Sequence, residues 1–183
     1  MTALALAAQR LLVQDPDILG SGLVGVDDTW TDGWVFPDKP AARVENSSKC
    51  AIIIFDQEPW TSKNPHNRAE FGTITVDIFG DPSRDVNENV TVEDAQDKIE
   101  RVAKIVSRNF HVVHPSVPSD APDWMGAKTM PRIWGTAEQI ASRTGLTIVE
   151  SIETDGPTWN PMSSNQGGWR GRYRYNVQYS SPI

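Results

Sequence analysis

One segment constrains the fold more than any other: residues 91–110. Thr91 is a good helix N-cap, and Asp94 stands three residues later, close to a capping-box arrangement. Glu93, Asp94 and Asp97 crowd the first turns, while Lys98, Arg101, Lys104 and Arg108 occupy the rest, an order that complements the helix dipole. Val92, Ala95, Ile99, Val102, Val106 and Phe110 recur at helical spacing as one apolar stripe. Such a helix is stable only if the stripe is covered. A sheet offers the cover, and the preceding segment reads as one of its strands. Thr73–Phe79 alternates, with Ile74, Val76 and Ile78 on one side and Thr73, Thr75 and Asp77 on the other, as a half-buried strand does. Gly80-Asp-Pro-Ser83 ends it with turn chemistry.

The rest of the chain supplies fewer and weaker elements. Residues 3–14 read as a helix with Leu4, Ala8, Leu11 and Leu12 on one face, stopped at Asp15-Pro16 because a residue before proline avoids the helical region. Ile18–Val26 is expected to form a short, irregular first strand, and residues 27–48 a long loop. The run Ala51–Phe55 is too short for a buried helix and rich in β-branched residues, so it reads as a central strand, followed by polar loop over 56–70. Four prolines across 112–132 indicate a second long loop. Thr136–Ser142 reads as a short helical turn, Leu146–Val149 as a strand, and Gly156-Pro157 as the centre of a loop. Tyr173, Tyr175, Val177 and Tyr179 alternate along a terminal strand, expected at a sheet edge.

One long helix among five strands does not build a doubly wound parallel sheet. The expected fold is α+β: a mostly antiparallel or mixed sheet with two helices packed on one face and long loops, forming a single domain over residues 1–183.

Charge and cysteine content narrow the partners. The formal net charge is −7, and no run of Lys or Arg occurs, so nucleic acid is not expected as a tightly held ligand. The single cysteine, Cys50, opens an apolar run and reads as a buried strand thiol, consistent with folding in a reducing compartment. No stretch approaches the ~20 apolar residues of a membrane span, and Gln9 and Arg10 cut short the apolar N-terminus, so no membrane contact or standard export is expected.

A search for chemistry finds little. His111-Val-Val-His114 lacks the spacing of a zinc-protease helix and a third nearby ligand. Asp77, Asp81 and Asp85 recur every four residues, yet a strand followed by an Asp-Pro turn need not bring them together, and the segment lacks the glycine of a calcium loop. The chain has no nucleophile elbow, phosphate-cradling loop or dinucleotide fingerprint. No catalytic, cofactor-binding or metal-binding residue is therefore assigned, and the chain is not expected to be an enzyme.

Tryptophan stands out instead. The residues Trp30, Trp34, Trp60, Trp124, Trp134, Trp159 and Trp169 all fall in or beside segments that read as loops. Part of this set can cap the domain's own core; the remainder suits contacts with a partner, because aromatics dominate interface centres. Trp60, Arg68, Trp124, Trp134 and Tyr179 are the candidates for such contacts. Stacking on sugars, as in a carbohydrate-binding module, is the alternative use. A metal-dependent hydrolase built on the three aspartates is a more distant one.

Val76-Asp-Ile-Phe-Gly-Asp-Pro-Ser-Arg84, then Asn89-Val-Thr-Val-Glu-Asp-Ala95 and the helix to 110, resembles the tail terminator proteins of long-tailed, siphovirus-like bacteriophages, actinobacteriophages above all. The opening helix with Leu12-Val-Gln-Asp-Pro-Asp17 is similar too, so the resemblance spans roughly residues 5–110. It implies a sheet flanked by helices and a homo-hexameric ring at the head-proximal end of the tail tube. Such a ring stops tube polymerisation and offers the surface that joins tail to head. The implied partners are copies of itself, the major tail tube protein and a head–tail connector or completion protein. DNA would only pass through the ring, for which an acidic subunit is suited. The implied place is the virion, at the neck end of the tail, after synthesis in the host cytoplasm. Another head–tail connector or completion protein is the nearest alternative.

Overall fold

The structure, a computed structural model, describes residues 3–26, 33–38, 49–61, 70–80, 92–110, 132–161 and 169–180. In chain order the elements are α1 (Ala3–Gln14), α2 (Pro16–Gly20), β1 (Val35–Pro37), β2 (Ala51–Thr61), β3 (Glu70–Gly80), α3 (Val92–Phe110), β4 (Arg132–Trp134), α4 (Ala137–Ala141), β5 (Leu146–Pro161) and β6 (Trp169–Ser180). The strands form a six-stranded sheet in the order β1-β2-β3-β6-β5-β4. Every neighbouring pair is antiparallel except β1 with β2. The fold is therefore α+β with a mixed sheet.

The long helix behaves as its periodicity requires. Ile99, Val102, Val106 and Phe110 of α3 are all fully buried in one core with Ile74, Val76 and Ile78 of β3 and Tyr175 of β6. From α1, Leu4, Ala8 and Leu12 join the same core, so both long helices cover one face of the sheet. The helix α1 lies close to the strands at Gly72, where a Cβ would come within 2.7 Å of Leu4 Cδ2. At the far end of this core, Phe110 stacks obliquely on Trp134 at 5.1 Å and meets Tyr175 edge-on at 5.4 Å.

Several expectations are corrected. Ile18–Val26 is not a strand. Asp15 caps a new helix, α2, by accepting from the backbone N–H of Asp17, and Pro16 fills the first position, where its missing donor costs nothing. Only Val24 pairs with a strand-like neighbour, as an isolated parallel bridge to Cys50. Within the supposed loop 27–48, Val35–Pro37 is a strand beside β2. Gln9, a polar residue outside the Leu4, Ala8, Leu11 and Leu12 face of α1, is buried and donates to the Val35 carbonyl at 3.1 Å. The run Ala51–Phe55 is second from the sheet margin rather than central, and β2 continues through Thr61 into the supposed loop. Thr75 and Asp77, expected on an open face, are buried.

The terminal strand β6 is interior, hydrogen-bonded to β3 on one side and β5 on the other. β5 runs on through Gly156-Pro157, which a register shift between Asp155 and Thr158 absorbs. A bulge is where a strand tolerates proline, because the ladder there needs no donor. The turn at 136–142 is a helix with a complete capping box between Thr136 and Gln139. Of the loop expected at 112–132, residues 112–131 lie outside the described residues, as does the Thr91 cap, while Arg132 begins β4.

Candidate functional site

The face of the sheet away from α1 and α3 is set by strand alternation. With Ile74, Val76 and Ile78 turned to the helices, Thr73, Thr75, Asp77 and Phe79 turn the other way. Register then aligns Ile53, Asp77 and Arg172 in one cross-strand row, and Ala51, Phe79 and Arg170 in the next. The face divides by chemistry. On the β1–β2 side, Phe36, Ala51 and Ile53 are buried, with Trp34, Phe55 and Phe79 partly buried against them. Trp34 reaches this cluster across Gly25, where a Cβ would fall 2.0 Å from the indole, so no larger residue fits there without displacing the ring.

On the β6 side stand Arg170, Arg172 and Arg174, at every second position of the strand. Arg172 donates from Nε and Nη2 to the two carboxylate oxygens of Asp77, both at 2.6 Å. Arg170 lies 3.8 Å from the same carboxylate, and Arg174 pairs with Asp155 at 3.2 Å. The signal for this row is present in the alternation of Tyr173, Tyr175, Val177 and Tyr179: if the tyrosines face the core, the arginines must share the opposite face.

On the helix side, polar groups serve packing. Tyr175 donates to Glu153 Oε2 at 3.3 Å, and Ser107 donates to the same oxygen at 3.4 Å, tying α3 to β5. Burial, with the Glu153 carboxylate beside it, raises the Tyr175 phenol well above its ordinary value. Burial likewise pushes Tyr173 and Tyr179 up to about 12 and the Cys50 thiol up to about 11. At neutral pH these groups keep their protons, so none is poised as a nucleophile or base. A second polar cluster joins the α1–α2 junction to the end of α3. There Arg108 Nη2 donates to Asp15 at 2.6 and 2.8 Å and to Asp17 at 3.0 Å, and Asn109 donates to Asp15 at 2.6 Å.

Two of the residues singled out from the sequence lie in the core. Trp134 is the last residue of β4 and is 0% exposed, and Tyr179 of β6 is 5% exposed. Both belong to the chain's own core and are not offered to a neighbour. The tryptophans expected in or beside loops are in part strand residues, since Trp60, Trp134, Trp159 and Trp169 all lie on strands. Arg68 and Trp124 lie outside the described residues, as do Asp81, Asp85 and the three histidines. Asp77 is engaged by Arg172, and among the described residues no group of three or more His, Cys, Asp or Glu converges to hold a metal. Among the described residues, no helix is long and apolar enough to cross a membrane. A comparison with protein-family models finds none that matches this chain, and a comparison with curated proteins finds no match.

Proposed function

We propose that this chain is a structural subunit of a phage virion. It assembles with copies of itself into a hexameric ring at the head-proximal end of the tail tube, ends tube growth there and presents the surface for head joining. The observation that carries the reading is the resemblance of Val76–Arg84, Asn89–Ala95 and the following helix to tail terminator proteins. The resemblance implies a sheet flanked by helices, and an α+β sheet with helices packed against it agrees with that, as it would with many other functions. A net charge of −7 suits a subunit beside a DNA path that must not grip its cargo.

The test is to add the purified protein to growing tail tubes and image their lengths, with the mass of the end-bound particle measured in parallel. Bound ends and shortened tubes are expected. A protein that neither binds tube ends nor limits their length would overturn the reading. Binding of a glycan through its tryptophans would put a carbohydrate-binding module in its place.

A further inference from the structure

We draw no further inference here: the strongest candidate, the sheet face opposite α1 and α3 where the partly buried Phe55 and Phe79 adjoin the Arg170, Arg172 and Arg174 row, carries nothing because nothing in the structure shows what covers it.

Discussion

Arg172 grips Asp77 through two parallel hydrogen bonds of 2.6 Å across the β3–β6 ladder, joining positions 95 residues apart in the chain. The two partners are not equally exposed. Asp77 is 1% exposed, whereas the Arg172 side chain keeps 31% of its surface in water. A planar guanidinium meeting a carboxylate at two points fixes geometry as well as charge. The pair pins the register of β3 on β6 at the middle of the sheet.

That asymmetry sets the first prediction. Arg172→Ala removes the main partner of a carboxylate that cannot reach water and is expected to cost about 3 kcal/mol, the low end for a broken buried pair, since Arg170 still stands nearby. Asp77→Ala leaves an arginine that can turn to solvent and is expected to cost about 1 kcal/mol. Urea melts of both variants decide the matter; equal losses would mean that Asp77 is not held as described.

The second prediction concerns α3. Ile99 is fully buried, so Ile99→Ala is expected to cost about 2–5 kcal/mol. Arg101 and Glu100 are exposed on the same helix, and alanine at either should change stability by less than about 0.5 kcal/mol. Denaturant midpoints that fail to separate the two classes would displace the apolar stripe from the core.

A third prediction follows from the Asp15 clasp. Burial raises the Asp15 carboxyl, but hydrogen bonds from Arg108, Asn109 and the backbone of Asp17 outweigh it and hold the group below its ordinary 3.8. A depressed folded-state value means stability that is complete above pH 3.8 and lost as pH falls from there through the folded value. Wild-type stability should therefore fall more steeply below pH 3.8 than that of Asp15→Asn, and the two should run parallel above it. Parallel curves throughout the acid limb would exclude the clasp as a source of acid sensitivity.

The outer margin of β5 gives a fourth. Among the described residues, β4 pairs with β5 only at Leu146–Ile148, leaving the long remainder without a strand on that side. Glu150, Glu153 and Asp155 and three register shifts fall along this stretch. Charge and bulges are the means by which sheet margins resist unwanted pairing. Glu150→Val combined with Asp155→Val should raise light scattering on concentration while leaving the thermal midpoint within a few degrees. Unchanged scattering would show that these charges do not guard the margin.

How much of this was legible in the sequence follows the range of the forces involved. α1, α3, the short helical turn at Thr136 and the alternation of β3 and β6 are local, and their residues declare them. Strand lengths are harder to read, because Glu58-Pro59 and Gly156-Pro157 look like loop chemistry. In the structure each dipeptide sits within a register shift that lets the strand continue past it. Strand order is non-local: nothing within Trp169–Ser180 says that β3 and β5 flank it. Trp134 looks like a loop contact in the sequence because its burial depends on Phe110, at the end of the preceding helix and across a segment with no readable pattern of its own.

The last prediction separates the folding tryptophan from the candidate binding ones. Trp134 is fully enclosed and stacked on Phe110, so Trp134→Ala should cost about 3–5 kcal/mol and depopulate the folded chain. The sequence makes Trp60 and Trp124 candidate contacts to neighbouring subunits or tube, and their side chains lie outside what the structure describes. If the proposed ring forms, Trp60→Ala and Trp124→Ala should keep the wild-type melting curve and weaken tube-end binding by about 2 kcal/mol or more at a true hot spot. That loss is roughly thirtyfold in affinity. Two measurements are needed on each variant, a denaturant melt and a tube-length distribution by electron microscopy. If Trp60→Ala and Trp124→Ala unfold the chain as Trp134→Ala does, they are core residues too, and the contact surface must be sought elsewhere. If they fold and cap tubes like wild type, those two side chains make no energetically important contact in the ring.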